Sequence, residues 1–194
     1  MRIIGGKHKG YKFTPPSKTP ARPTTDRAKE GLFNILYNTF DFEYTKVLDL
    51  FGGTGSISYE FASRGCQDIT LVEVDKGNIK FIHRIVEELE FPIKIVQLDV
   101  FKFMRTNPLQ YDLIFAGPPY PLTNLDTIPD KVFEHQIIAP EGWLVLEHNP
   151  KHKFDDHPYF LEKRNYGTTI FSIFEAPSVE IETEQTDIPP VQNN

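Results

Sequence analysis

One stretch, Val47-Leu48-Asp49-Leu50-Phe51-Gly52-Gly53-Thr54-Gly55, constrains the fold of this chain more than any other. Its apolar run (Val47, Leu48, Leu50, Phe51) breaks into glycines and resumes at Ser56-Ile57-Ser58-Tyr59-Glu60 as a helix-like segment. The pattern predicts a buried strand, a tight turn and a helix N-terminus, the first crossover of an open α/β sheet. Ligands of such sheets bind beyond the carboxyl ends of the strands, so this turn marks the expected ligand site. Glycine lets the main chain turn with positive φ and lets a ligand approach it closely, and the helix start offers N–H groups.

What the turn lacks narrows the ligand. A dinucleotide turn asks for G-x-G-x-x-G, and counting from Gly53 the third glycine position holds Ser58. A phosphate-gripping P-loop ends in Gly-Lys-Ser/Thr, and no lysine is present here. Asp49 adds negative charge where a polyphosphate would lie, whereas a carboxylate there suits a cationic ligand carrying an amino group.

The remaining strands repeat one theme. A helix from Ser56 to about Arg64 is predicted to stop at Gly65. Ile69-Thr70-Leu71-Val72-Glu73-Val74-Asp75 then reads as a second buried strand ending in carboxylates. An acid in this position commonly accepts the hydroxyls of a ribose, with Glu73 favoured and Asp75 second. Helical spacing over 78–89 leads to a third strand, Ile93 to Asp99. Asp49, Glu73 and Asp99 are thereby expected on one rim of a parallel sheet. Asp99 suits two roles equally, an acceptor for an exocyclic amine such as adenine N6 or the cap of a helix over 100–104. A fourth strand, Tyr111 to Ala116, runs into Gly117-Pro118-Pro119-Tyr120. The prolines lack N–H groups, so nearby carbonyls are left for a neighbour, and Tyr120 offers a ring to stack on a base. A helix over 127–138, a strand Trp143 to Glu147 begun by the Pro140-Glu141-Gly142 turn, and a hairpin closing around Gly167 complete the body.

Charge singles out the N-terminus. Residues 1–30 hold eight Lys and Arg against Asp26 and Glu30, whereas the rest of the chain holds 13 basic and 25 acidic side chains. The segment Arg2 to Phe13 reads as two short strands around Gly5-Gly6, with Lys7, Lys9 and Lys12 interleaved with Tyr11 and Phe13. Basic and aromatic residues together can neutralise phosphates and stack bases, as recognition of RNA loops and single strands requires. Residues 1–21 are thus expected to form a basic hairpin arm and linker, 22–174 a catalytic domain, and 175–194 an acidic, disordered tail. Arg22-Pro23-Thr24-Thr25-Asp26-Arg27 turns the arm into a helix capped by Thr25 or Asp26 and reaching about Phe40. Arg22 and Arg27, between the arm and the glycine turn, are candidate ligand or substrate contacts.

Other classes drop away. No apolar run approaches the roughly 18 residues of a membrane span. The single cysteine, Cys66, cannot form an internal disulfide, which points to the cytoplasm. No Cys/His cluster calls for a metal, and nothing demands a second subunit, so a monomer is expected.

With these motifs in order, the chain resembles the Rossmann-like S-adenosylmethionine-dependent methyltransferases. Within them it is similar to the bacterial small-subunit rRNA guanine-N2 methyltransferases of the RsmD type. The matching stretches are Arg2 to Phe13, Arg22 through Leu36, Val47 to Gly55, Val72 to Asp75, Tyr111 to Tyr120 and Tyr166-Gly167-Thr168. The resemblance implies an α/β fold with helices on both faces of a seven-stranded, mostly parallel sheet whose last strand is antiparallel. It implies S-adenosylmethionine over Phe51, Gly52, Gly53, Thr54 and Gly55, with its ribose on Glu73 beside Val74 and its adenine near Asp99 and Val100. Asp49 and Thr25 complete the implied cofactor set. Lys7, Lys9, Tyr11, Arg22 and Arg27 would face ribosomal RNA or an assembling small subunit, and the Gly117-Pro118-Pro119-Tyr120 corner would be catalytic.

The chain departs from the family at one point. The family's corner reads Asp-Pro-Pro-Tyr, and position 117 is glycine. The missing carboxylate would accept a hydrogen bond from the amine being methylated. By analogy with deleting one preorganised electrostatic partner, its loss implies a rate lower by about 10²–10³-fold. The alternative implied is a catalytically impaired homologue that binds RNA and cofactor. Main-chain carbonyls at Ala116 to Pro118 remain as acceptors for one proton.

Overall fold

The computed structural model describes residues 1–16, 24–119 and 121–178. Arg22, Tyr120 and all but the first four residues of the predicted tail lie outside the described residues. The glycine-turn motif folds as its pattern demands: strand β1 (Lys46–Leu50) feeds helix α2 (Ser56–Ser63). Val47, Leu48 and Leu50 are wholly buried, as expected of a central strand covered on both faces.

Helix α1 (Asp26–Thr39) precedes β1, with Thr25 Oγ1 accepting from Ala28 N as the N-cap. Beyond α2 run β2 (Asp68–Glu73), α3 (Lys76–Leu89), β3 (Ile93–Gln97), α4 (Val100–Thr106) and β4 (Tyr111–Ala116). A 3-10 turn at Leu125–Thr127, α5 (Ile128–Glu134), β5 (Ile138–His148), β6 (Phe160–Tyr166) and β7 (Thr169–Glu175) follow. The order β3-β2-β1-β4-β5-β7-β6 is parallel up to β5, and β7 runs antiparallel to both neighbours. This is the seven-stranded sheet that the resemblance implied. The strand order, though not the strand direction, reverses between β1 and β4, the place where ligands of such sheets bind.

Alternation along the strands sorts the core. Val47, Leu71, Leu113, Phe115 and Val145 pack with Leu32, Phe33, Ile57 and Ile82 on one face. Leu48, Leu50, Val72, Ile114 and Leu146 pack with Met104, Ile128 and Val132 on the other.

Three elements differ from the sequence pattern. Helix α3 starts two residues early because Asp75, not a later residue, caps it by accepting from Asn78 N at 2.8 Å. Helix α5 ends at Glu134 because Ile138 is already paired with Tyr111 in the sheet. The Pro140-Glu141-Gly142 turn does not begin β5 but interrupts it: register jumps from Tyr111↔Ile138 to Leu113↔Trp143, and Glu141 takes φ 60°.

The N-terminal segment is less a free arm than a flap sewn to the body. Its two legs share one bridge, Arg2↔Lys12, supported by Ile3 N→Tyr11 O at 3.0 Å and Phe13 N→Met1 O at 3.0 Å. Ile3 and Phe13 enter the main core, Phe13 edge-on to Tyr59. Lys29, counted among the basic residues, is buried. Its Nζ pairs with Glu60 at 3.1 Å and donates to the Arg2 carbonyl at 2.8 Å, while Ile4 N donates to the same Glu60 oxygen at 2.7 Å.

Candidate active site

The turn after β1 brings the site together. Phe51 takes φ 66°, unusual for a bulky residue, and Gly53 and Gly55 take φ 57° and 82°. Gly52 leaves no room for a Cβ, which would stand 2.4 Å from Leu71 Cδ2. Gly52 N donates to Val72 O at 2.8 Å, tying the turn to the end of β2.

Glu73, at that end, organises the lip. Gly53 N donates to its Oε2 at 2.7 Å, and Val74 N and Asp75 N donate to Oε1 at 2.7 and 2.8 Å. Asn78 Nδ2 adds a longer contact to Oε2 at 3.4 Å. Three main-chain donors hold the carboxylate still at the mouth of a cavity of about 230 Å³. The cavity is lined by Phe51, Gly53, Glu73, Val74, Asp99 and Val100 from the predicted cofactor set, and by Gly117 and Pro119 from the predicted corner. Residues up to 68 positions apart in sequence therefore meet in one hollow, mostly apolar and rimmed by acids.

Asp49 is unlike Glu73. It lies beneath the turn, 1% exposed, and accepts from Ser58 Oγ at 2.6 Å. Burial pushes its carboxyl up to about 7 against the hydrogen bonding from Ser58, and the nearby Glu73 charge adds to the rise. A buried carboxylate so placed is a ready partner for a cation. Asp99 fills the capping role, accepting from Lys102 N at 2.9 Å through Oδ1, and also lines the hollow.

Several expected residues stand outside the hollow. Thr25 caps α1, Thr54 Oγ1 reaches Met1 Sδ at 3.7 Å, and Gly55 packs against the Tyr59 ring. The basic residues divide likewise. Lys7 N and His8 N are bound to Ser63 at the end of α2 remote from the hollow, roughly 12 Å along an eight-residue helix. Lys7 and Lys9 are exposed there, and Arg27 is exposed on α1. Tyr11 gives its hydroxyl to Glu88 at 2.5 Å, which raises its pKa and engages the polar end of a predicted stacking ring.

Asp75, Asn78 and Val72 also line the hollow. Asp75 was the second ribose candidate, and its Asp75-x-x-Asn78 cap was the signal for Asn78. At the corner, a Cβ on Gly117 would stand 3.0 Å from Phe115 Cε1 and 4.0 Å from Glu147 Oε2, and Glu147 accepts from Thr24 Oγ1 at 2.6 Å. Glu147 is a fourth acid ending a strand, a signal present in the sequence.

Comparison with known proteins decides the family. The family described as conserved hypothetical protein 95 matches residues 1–175. The chain belongs to it. Bacillus subtilis YlbH is 29% identical over 182 residues, spanning 90% of this chain and 98% of YlbH. Ribosomal RNA small subunit methyltransferase D of Escherichia coli K12 is 28% identical over 148 residues, 76% of this chain and 74% of that protein. A solved structure of Escherichia coli yhhF superposes with TM-score 0.79 at 23% identity, over 92% of this chain and 99% of that one. Other solved structures of this fold hold S-adenosylmethionine or S-adenosylhomocysteine. The RsmD-type membership expected from the motifs is therefore the family found. No helix among the described residues is long and apolar enough to cross a membrane.

Proposed function

We propose that this chain transfers a methyl group from S-adenosylmethionine to N2 of a guanine in 16S rRNA, in the cytoplasm. The observation carrying the proposal is the hollow that unites the Glu73 cradle with Gly117 and Pro119 of the diproline corner. Its residues fit the cofactor: Glu73 for the ribose, an apolar slot between Phe51, Val74 and Val100 for a base, and buried Asp49 for an ammonium group. When bound, S-adenosylmethionine supplies a methyl group made electrophilic by a sulfonium. That named relatives are rRNA methyltransferases supports the enzyme class. The basic surface of Lys7, Lys9, Lys12 and Arg27 supports an RNA partner.

Guanine N2 is a poor nucleophile because its lone pair is delocalised into the ring. The protein's contribution is to hold the amine in line with the methyl group, and alignment of this kind can contribute roughly 7–11 kcal/mol. The rigid diproline corner at the end of β4, one strand from the glycine turn, suits that task. Direct attack calls for no metal and no covalent enzyme intermediate.

The test is transfer of labelled methyl groups to small subunits, or their RNA, from a strain lacking the gene, followed by nucleoside mass spectrometry. N2-methylguanosine is expected. Label on another atom overturns the guanine-N2 assignment, and cofactor binding without transfer by any form of the protein supports the binding-only alternative.

A further inference from the structure

Resting on the methyltransferase reading, we infer that the outer face of α3 is the track along which the RNA backbone reaches the hollow, its phosphates held by Lys76, Lys80 and Arg84. The three cations are exposed and stand four residues apart, on one side of the helix. Each step advances about 6 Å along the axis, so together they cover roughly 12 Å. None of them is in an ion pair with another described residue.

The helix is not charged for its own stability. Lys76 is its first residue and no acid lies in the first turn, while Glu87 and Glu88 lie in the last turn and Glu90 caps the end. A helix dipole favours the reverse, acids at the start and bases at the end. Lys76 and Lys80, and then Lys80 and Arg84, are like-charged neighbours that repel each other. A row of unpaired cations held at a cost to its helix calls for an anion from outside.

Its position says which anion. Lys76 follows Asp75, which lines the hollow. Toward the other end of α3, Glu88 accepts from the Tyr11 hydroxyl, and the His8 ring meets Phe91 edge-on at 5.0 Å. Arg84 Cζ lies 5.1 Å over the Phe81 ring, which packs against Phe13 of the flap. The stripe therefore joins the exposed lysines of the flap, which stand at the remote end of α2, to the mouth of the hollow. A phosphate backbone is the ligand that repeats a negative charge along such a line. The acids at the mouth, Glu73, Asp75 and Asp99, repel phosphates, so the backbone stays on α3 while an uncharged base turns into the hollow.

The test compares the full chain with Lys80→Ala/Arg84→Ala and with a control of equal charge, Lys94→Ala/Lys131→Ala. The control residues belong to the other face of the sheet: Lys94 alternates with Ile93 and Ile95, and Lys131 sits on α5 between Ile128 and Val132. Fluorescence anisotropy reads affinity for a labelled single-stranded oligoribonucleotide between about 50 and 200 mM salt. Each lost phosphate contact removes about 0.7 from the slope of log affinity against log salt, so the stripe variant should lose about 1.4 and bind about 25-fold more weakly at 0.1 M. It should melt no lower than the parent, because α3 sheds a repulsive pair, whereas a purely structural role would lower its melting temperature. The charge-keeping exchange Lys80→Arg/Arg84→Lys should bind like the parent. A stripe variant with the parent's slope and affinity overturns the inference, and so does an equal loss in the control, which would make net charge alone the attractant. Both results leave the methyltransferase reading intact, since that is judged by methyl transfer from the unaltered chain. A chain that transfers no methyl group yet loses RNA through the stripe fails that reading and keeps the track.

Discussion

Asp49 and Glu73 stand on neighbouring strands of one sheet, at one end of it, yet the protein treats them oppositely. Glu73 receives three main-chain N–H groups and sits at the mouth of the hollow. Asp49 is bonded by Ser58 alone, through its hydroxyl and its main chain, and is buried under the turn. The lip is thus organised before a ligand arrives, because its charge is already answered by fixed dipoles. Beneath the turn Asp49 is left electrostatically incomplete, and on the proposed reading this floor would be completed by a positive group arriving above it. Preorganisation and incompleteness are two ways of preparing a site, and here they occupy adjacent strands.

The floor offers the largest handle on this contrast. An unfolded aspartate titrates near 3.9, and Asp49 in the fold titrates at about 7. Between these values the folded state holds more protons than the unfolded one, so stability falls as pH rises from about 4 through about 7. The loss is on the order of 4 kcal/mol, at roughly 1.4 kcal/mol for each pH unit. Asp49→Asn keeps a partner for Ser58 and removes that loss. Denaturant melts should find it more stable than the parent at pH 8 and little different at pH 4. A ligand ammonium over Asp49 should also drive the proton off, so titrations in buffers of different ionisation enthalpy should show close to one proton released on cofactor binding at pH 6. Zero release would place the ammonium elsewhere.

The lip should respond less steeply. Glu73→Ala removes an acceptor for the ribose hydroxyls and loosens Gly53, Val74 and Asp75 together. Hydrogen bonds to a charged group contribute roughly 1.5–3 kcal/mol, so cofactor affinity should fall by about 10- to 150-fold. Unchanged affinity by calorimetry would remove Glu73 from the site and erase the contrast.

The two acids also mark how far the sequence could be read. Both were legible as strand-end carboxylates, because apolar runs and a glycine turn expose the strand ends to inspection. Their opposite environments were not, since they depend on Ser58 arriving from α2 and on amides turned inward by the bend after Glu73. Register had the same effect at the corner. Glycine at 117 was plain, but Glu147 lies 30 residues on and comes alongside only through the five-residue step in β5 between Ile138 and Trp143. The docking of the N-terminal segment on the body was hidden for a similar reason. Its lysines dominate a charge count, while Ile3 and Phe13 bind it to a core assembled from the rest of the chain.

The smallest effect probes the apolar side of the lip. Val74 is 63% exposed although it follows a fully hydrogen-bonded Glu73, and it lines the hollow. Its amide is held by Glu73 Oε1, so the main chain is fixed while the side chain faces whatever enters. An aliphatic group left out of the core at a rigid position is suited to covering one face of a flat ring. Val74→Ala removes two methyl groups' worth of that cover, and at about 0.8 kcal/mol for each fully buried carbon a partial loss near 1 kcal/mol follows. Affinity for S-adenosylmethionine and for adenosine should fall by about fivefold alike, while melting temperature stays put, because the free protein gains nothing from an exposed valine. Equal affinities before and after would mean that the base does not lie across Val74, and the lip would then be a polar clamp alone.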